Sequence, residues 1–108
     1  MSINVDWTRQ ARQDLLDIYV LIGIEQPAAA ERYFNRIEAK VMLLAEHPRL
    51  GMTRPEMRSN LRVLVEEPYL IFYRTEPNRT EPERDDLPIK LVEIVRVVDG
   101  RRHLTSLI

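Results

Sequence analysis

Two apolar stripes with helical spacing lie close together near the start of the chain, and they limit the fold more than any other feature. The first stripe contains Ala11, Leu15, Ile18, Tyr19 and Ile22, and the second contains Ala30, Phe34, Ile37, Val41 and Leu44. This spacing predicts a helix over about 9–24, capped by Thr8, and a second from Pro27 to His47, ending before Pro48. Because few residues separate them, the helices should form an antiparallel hairpin that needs another layer to cover its apolar stripes.

The second half of the chain supplies the residues for that layer. Segments 3–7, 61–65 and 70–74 have the composition and alternation of strands, and 90–98 is the strongest strand in the sequence. It is apolar on both faces, which indicates a central strand. The polar stretch 75–88 predicts a loop. The sequence therefore predicts an α+β fold with the order β-α-α-β-β-β, in which a helical hairpin packs on a mainly antiparallel sheet.

Composition narrows the possible functions. The chain has 108 residues, no cysteine and two histidines, so we expect a single domain over 1–108, no metal site and no cofactor. The first twenty residues lack the apolar run of a signal peptide, and no apolar run is long enough for a membrane span, so a cytoplasmic protein is expected. The net charge of −1 disfavours a direct, sequence-specific grip on nucleic acid.

A series of short motifs runs along nearly the whole chain in a characteristic order. They are Trp7-Thr8, Ala11, Asp14-Leu15, Ile18-Tyr19, Ala29-Ala30, Arg32, Phe34, Pro48-Arg49-Leu50-Gly51, Arg54-Pro55-Glu56, Leu61-Arg62, Pro68-Tyr69-Leu70-Ile71-Phe72-Tyr73, Ile94-Val95-Arg96-Val97 and Gly100-Arg101-Arg102. In order and spacing this pattern resembles the toxins of bacterial type II toxin–antitoxin pairs, in the RelE/ParE superfamily and nearer its ParE branch. The resemblance implies a ParD-like antitoxin that binds and silences the chain. It also implies one of two toxic activities, inhibition of DNA gyrase or cleavage of messenger RNA on the ribosome.

The residues favour gyrase inhibition over RNA cleavage. Ribonuclease members resemble one another in carrying an arginine where this chain has Leu70, and leucine cannot neutralise a phosphate. They also tend to be strongly basic, and they usually carry a late tyrosine or histidine. This chain is close to neutral and has no tyrosine after Gly100. We therefore expect no catalytic residues. The alternatives are a ribonuclease that uses Arg96, Arg102 and His103, or a degenerate member that only binds antitoxin.

Candidate binding residues fall into two chemical classes. The candidates for contact with the target are basic, namely Arg58, Arg62, Arg96, Arg101 and Arg102. Solvation of a charged face explains a run such as Arg54, Arg58 and Arg62 more often than contact with a partner does. An ion pair with Glu66 or Glu93 is the structural alternative for Arg96, because a charge among apolar residues needs a partner.

Other residues admit a structural explanation or a partner contact. Leu16, Val20 and Leu21 lie off the main stripe of the first helix and are candidates for contact with the antitoxin. Tyr69 and Tyr73 should pack in the core, and Gly100 should supply a turn with positive φ. The acidic loop 75–88 could solvate a long connection or help to select an antitoxin by its charge.

Overall fold

The computed structural model describes residues 3–54, 61–76 and 89–101. The elements, in chain order, are β1 (Asn4–Trp7), α1 (Arg9–Gly23), α2 (Pro27–Met42), a 3-10 turn (Leu43–Ala45), β2 (Met52–Thr53), β3 (Arg62–Glu66), β4 (Tyr69–Glu76) and β5 (Leu91–Asp99). The predicted α+β class and element order are confirmed, with the short strand β2 in addition. Two residues are too few to give an alternating pattern, which explains why the sequence did not predict β2.

One mixed sheet holds all five strands in the order β1-β5-β4-β3-β2. The pair β1–β5 is parallel, and the other three pairs are antiparallel. Strand β5 lies between β1 and β4, as its two apolar faces predicted. The hairpin between β3 and β4 turns through Glu67 and Pro68, which are joined by a cis peptide bond. The first strand and the last described strand are therefore neighbours, with β1 beside the first half of β5.

The helical hairpin covers one face of the sheet. The main core includes Ala11, Leu15, Ile37, Val41 and Leu44 from the helical half and Ile71, Tyr73, Val92, Ile94 and Val97 from the sheet. Tyr19 and Phe34 join the two helices through an edge-to-face contact with ring centroids 5.6 Å apart. A second, smaller cluster on the opposite face of the sheet contains Leu61, Val63, Phe72 and Val98. The predicted packing of Tyr69 and Tyr73 is confirmed, since both are buried.

Several predicted boundaries shift. Helix α2 ends at Met42 and continues only as the 3-10 turn to Ala45, so it does not reach His47. The first residues of the predicted loop 75–88 belong to β4, which extends to Glu76, and residues 77–88 lie outside the described part of the chain. The expected positive φ at Gly100 is wrong. Close approach explains that glycine instead, because its N–H donates to the Pro68 carbonyl at 2.8 Å and a Cβ there would lie 3.1 Å from the same oxygen.

A bulge in β5 changes which side chains face the helices. Tyr73 pairs with Ile94 and Phe72 pairs with Arg96, so Val95 is an extra residue in β5. Simple alternation would place Ile94 and Val98 on one face, but Ile94 packs in the main core and Val98 in the cluster on the far face. Bulges re-aim side chains and break the two-residue period. Arg96 follows the bulge directly, and its guanidinium contacts Asp14 of α1, where the candidate site lies.

Candidate functional site

An exposed apolar row runs along the outer side of α1. Leu16, Val20 and Leu21, which the sequence proposed as antitoxin contacts, expose 52%, 57% and 69% of their surface. Ile24 lies four positions beyond Val20 and is 76% exposed, so it extends the row past the end of the helix. Sequence reasoning missed Ile24, although its spacing from Val20 was the available signal. Contiguous exposed apolar residues on a helix are typical of a surface that binds a protein partner.

A groove lies beside this row, between α1, the start of α2 and the ends of β4 and β5. It consists of two adjoining hollows of about 400 Å³ and 560 Å³, which share Leu21, Ile22, Tyr69 and Arg101. We call this the α1–β5 groove. The first hollow is also lined by Asp14, Asp17 and Arg96, and the second by Glu25 and Tyr33. The groove thus combines apolar walls with several charged groups, the mixture expected of a binding site.

Asp14 holds the base of the groove together. Its buried carboxylate accepts hydrogen bonds from Arg96 Nε at 2.8 Å, Arg96 Nη2 at 3.1 Å, the Val97 N–H at 3.0 Å and Gln10 Nε2 at 2.9 Å. A buried charge is tolerated when it is paired and fully hydrogen-bonded, and this two-point contact with arginine is the strong form of that pairing. The contact fixes α1 against β5 and balances the charge of Arg96.

The sequence did not identify this partner. The predicted ion pair of Arg96 is confirmed, but the partners that it named, Glu66 and Glu93, are wrong. Glu93 pairs with Arg74 on the neighbouring strand, whereas Arg96 reaches across to α1. Asp14 lies three residues after Ala11 and four before Ile18, so it belongs to the buried side of α1. That spacing was the signal for a buried acid in need of a cation.

Thr8 anchors the start of α1 to the same strand. Its hydroxyl oxygen accepts from the Ala11 N–H at 3.1 Å, which confirms the predicted helix cap, and the hydroxyl donates to the Val95 carbonyl at 3.1 Å. The Thr8 N–H also donates to the Ile94 carbonyl at 3.0 Å. Thr8 and Asp14 therefore bind β5 on either side of the bulge, which makes α1 a rigid wall of the groove.

Tyr69 forms part of the floor of both hollows. Only 7% of the residue is exposed, and its ring packs edge-to-face on Tyr33 with centroids 5.6 Å apart. Its hydroxyl makes no hydrogen bond with the residues that the structure describes. Burial raises the pKa of Tyr69, and the negative charge of Asp99 and the nearby Tyr33 raise it further, while Arg101 lowers it. The hydroxyl therefore stays neutral at ordinary pH and can donate to an incoming group or accept a hydrogen bond from one.

Arg101 lies at the open end of the groove. Its backbone N–H and its Nε both donate to Asp99 Oδ1 at 2.9 Å. This hydrogen bond and the charge of Asp99 raise the pKa of Arg101. The side chain is nevertheless 74% exposed, so its cation is accessible to a partner while it is balanced by Asp99. Its predicted role in contacting a target stays a prediction.

The turn at Pro48–Gly51 lies outside the groove and is held by Tyr73. The Gly51 N–H donates to the Tyr73 hydroxyl at 2.8 Å, and this hydroxyl donates to the Pro48 carbonyl at 2.9 Å. A Cβ on Gly51 would lie 2.6 Å from the Tyr73 ring and 2.8 Å from the Val63 carbonyl. Arg62, another predicted target contact, donates from Nη1 to the Gly51 carbonyl at 2.9 Å. The structure thus gives Arg62 a local structural contact, and its predicted contact with a target is untested.

The remaining predicted site residues cannot be assigned to the groove or to the turn at Pro48–Gly51. Arg58, Arg102 and His103 lie outside the described residues, as does most of the acidic loop. Within residues 3–54, 61–76 and 89–101, no group of three or more histidine, aspartate or glutamate side chains could hold a metal ion. No helix in these ranges is both long enough and apolar enough to span a membrane.

Comparison with known proteins decides the family. The family described as ParE toxin of type II toxin-antitoxin system, parDE, matches residues 5–104, which is nearly the whole chain. The chain belongs to the ParE toxin family. The resemblance inferred from the ordered motifs is thereby confirmed, as is the choice of the ParE branch.

Individual relatives agree with this assignment. The chain is 31% identical over 105 residues to Toxin ParE1 of Caulobacter vibrioides, a match that covers 90% of this chain and 93% of the relative. It is 32% identical over 77 residues to Toxin ParE3 of the same organism, covering 71% of this chain and 65% of that protein. A solved structure titled Chromosomal ParDE TA system from P. aeruginosa superposes with a TM-score of 0.68 at 24% identity, over 91% of this chain and 96% of the other. The superposition shows that this chain has the same fold as the chain in that structure.

Proposed function

We propose that this ParE toxin acts by binding DNA gyrase and stabilising a DNA-cleaved state, and that a ParD-like antitoxin encoded beside it silences it. On this proposal the chain contributes binding surfaces and no catalytic residues. Its site of action is the cytoplasm, where gyrase works on the chromosome. The basic residues Arg62, Arg96 and Arg101 are proposed contacts with the target, together with Arg58 and Arg102.

The observation that carries the antitoxin part is the exposed apolar row on α1. Leu16, Val20, Leu21 and Ile24 each leave more than half of their surface exposed. An amphipathic helix laid along α1 would bury this row, which is the usual way a helix is recognised by a surface with apolar residues at intervals of three and four. Burial of one such side chain contributes about 1.5–3 kcal/mol. Burial of the row would therefore favour formation of the complex.

The chemistry around Arg96 supports a binding mechanism over RNA cleavage. Cleavage would need cations aimed at a phosphate, and both carboxylate oxygens of Asp14 instead accept from the Arg96 guanidinium. Leu70 stands where the ribonucleases carry arginine, and it packs against the apolar cluster on the far face of the sheet. Neither residue is arranged to neutralise a scissile phosphate beside α1.

Induction of the toxin alone in cells tests the target. We expect growth arrest with a DNA damage response, while messenger RNA half-lives stay unchanged during the first minutes. An Arg101→Glu variant with normal folding should be less toxic if the basic contacts serve gyrase. Rapid transcript loss without a DNA damage response would contradict the proposal, and absence of arrest would identify a member that only binds antitoxin.

Neutralisation by the neighbouring antitoxin tests the row on α1. A Leu16→Glu, Val20→Glu double variant should remain toxic but escape neutralisation, because two carboxylates would have to be buried without partners. The matched control is Met42→Glu, since Met42 is 65% exposed but lies at the end of α2. Retained toxicity shows that the variant folds. Equal neutralisation of the double variant and the control would exclude this row as the antitoxin site.

A further inference from the structure

The charges that line the α1–β5 groove do not cancel. Arg96 is balanced by Asp14 and Arg101 by Asp99. The carboxylate of Asp17 accepts one neutral hydrogen bond, from Gln13 Nε2 at 2.8 Å. The Glu25 carboxylate makes neither a hydrogen bond nor an ion pair with the residues that the structure describes. Asp17 lines one hollow and Glu25 the other, so the groove carries two acids that no cation of the described residues pairs with.

The second observation is the unpartnered hydroxyl of Tyr69. This residue is more than nine-tenths buried and lines both hollows, yet its hydroxyl has no hydrogen bond within the described part of the chain. Buried polar groups normally have a partner, and an exception points to a missing one. A ligand with a polar group at its end, seated in the groove, would supply that partner.

The walls of the groove set the shape of that ligand. Ile18 and Ile22 are half-buried on the groove side of α1, and Leu21 is exposed at its rim. They would cover an apolar stem and leave its end beside the acids. Lysine and arginine combine a long aliphatic stem with a cationic head, and they place the stem on apolar surface. A phosphate or another anion would be repelled by Asp17 and Glu25, which excludes a nucleic acid backbone from the groove.

We propose that the α1–β5 groove is the seat for an arginine or lysine side chain from a segment of a partner protein. The aliphatic stem lies against Ile18, Leu21 and Ile22, and the cation lies among Asp17, Glu25 and the Tyr69 hydroxyl. This inference rests on the proposed function only in taking the partner to be a protein. On this proposal, a partner needs apolar residues to cover the row on α1 and also a basic residue to enter the groove. Partners that lack the basic residue would bind more weakly.

Three small probes with similar alkyl stems of five or six carbons test the groove without any partner. The full-length chain, labelled with ¹⁵N, is titrated with hexylguanidinium, hexanoate and hexanol, and amide shifts are followed by NMR. We expect hexylguanidinium to shift the amides of Ile18, Leu21, Ile22, Tyr69 and Val97 in a saturable manner. Hexanol should cause weaker shifts, and hexanoate the weakest, because only the guanidinium head meets the two acids.

An Asp17→Asn, Glu25→Gln double variant should bind hexylguanidinium about ten-fold more weakly and bind hexanol unchanged, since each exposed charge pair contributes modestly. The matched control is Glu31→Gln, which removes an exposed acid of α2 that does not line the groove. The control should bind all three probes like the unmodified chain.

Three results would overturn the inference. One is equal binding of hexylguanidinium and hexanoate, and another is unchanged hexylguanidinium affinity in the double variant. The third is a concentration-dependent shift of the groove amides in the protein alone, which would identify a second copy of the chain as the occupant. Because neither gyrase nor antitoxin is present, these results leave the proposed function standing. Conversely, absence of toxicity or neutralisation in cells would refute that function and leave the preference of the groove intact.

Discussion

Two tyrosines on the same face of β4 have opposite surroundings. The Tyr73 hydroxyl is enclosed and satisfied, since it accepts from Gly51 and donates to Pro48. The Tyr69 hydroxyl lines the α1–β5 groove, and the described residues offer it no hydrogen bond. Both rings are buried in the same core. One end of β4 is thus closed by its own chain, whereas the other end leaves the Tyr69 hydroxyl without a hydrogen bond from the described residues.

The largest expected change in stability tests whether Asp14, at the groove end of the sheet, also stabilises the fold. Asp14→Ala would remove all four hydrogen bonds to this carboxylate and leave the half-buried Arg96 cation without its balancing charge. We expect the free energy of unfolding to fall by about 3–5 kcal/mol, the usual consequence of breaking a buried pair. Urea denaturation measures the change, with Asp6→Ala, an exposed acid, as the control. A loss below about 1 kcal/mol would mean that Tyr69 and its neighbours hold this end without Asp14.

The second largest expected change tests whether the turn at Pro48–Gly51 is tightly packed against Tyr73. In Gly51→Ala, the new Cβ would meet the Tyr73 ring at 2.6 Å and the backbone carbonyl of Val63 at 2.8 Å. Overpacking of this kind costs roughly 1–3 kcal/mol, and the rigid backbone atom places the effect in the upper part of that range. The control is Gly23→Ala, because its Cβ would lie 3.6 Å from Ala30, an ordinary contact. Thermal melts of the two variants should separate clearly, and similar melting temperatures would show that the turn is not tightly packed.

Tyr73→Phe isolates the hydroxyl at that end. It leaves the Gly51 N–H and the Pro48 carbonyl without their partner, which should lower the free energy of unfolding by about 1–3 kcal/mol. Burial raises the pKa of Tyr73 above 10.0, an effect that the Gly51 hydrogen bond and Arg62 partly oppose. The neutral phenol therefore contributes stability that is complete below the unfolded pKa and is lost as pH rises through the folded pKa. In this alkaline range the free energy of unfolding should depend less on pH in Tyr73→Phe than in the unmodified chain. An equal pH dependence in the two proteins would contradict the enclosed position of the hydroxyl.

The smallest effect on stability should come from Tyr69→Phe. No described hydrogen bond is lost, so the free energy of unfolding should change by less than about 0.5 kcal/mol. Binding of hexylguanidinium should nevertheless weaken several-fold, because one of its proposed hydrogen bonds disappears. Tyr73→Phe should show the reverse, with lower stability and unchanged binding. The comparison fails if both variants change stability by the same amount and neither changes binding.

The sequence predicted the elements whose buried residues recur at a regular spacing. The stripe from Ala11 to Ile22 and the apolar run in β5 led directly to the helical hairpin and the central strand, because burial of one face imposes a fixed spacing. The bulge at Val95 could not be predicted in this way, since an extra residue breaks the very period on which the prediction depends. The pairing of Arg96 with Asp14 was also missed, because it joins residues 82 positions apart in the chain.

The candidate site was predicted only in part. Leu16, Val20 and Leu21 were identified because they lie off the buried stripe, and the structure shows all three exposed. The groove beside them depends on how α1 lies against the ends of β4 and β5, which is a long-range contact that local spacing does not encode. Tyr69 was therefore predicted as packing alone, and its spare hydroxyl emerged only from the folded arrangement.

An assay with purified components tests the proposed target of the toxin most directly. Purified chain from one preparation is added to DNA gyrase with supercoiled plasmid and, separately, to ribosomes translating a defined message. We predict that cleaved, gyrase-linked DNA accumulates in proportion to toxin while the message stays intact, and that prior addition of the antitoxin prevents the DNA cleavage. Uncleaved plasmid together with a cut message would contradict it.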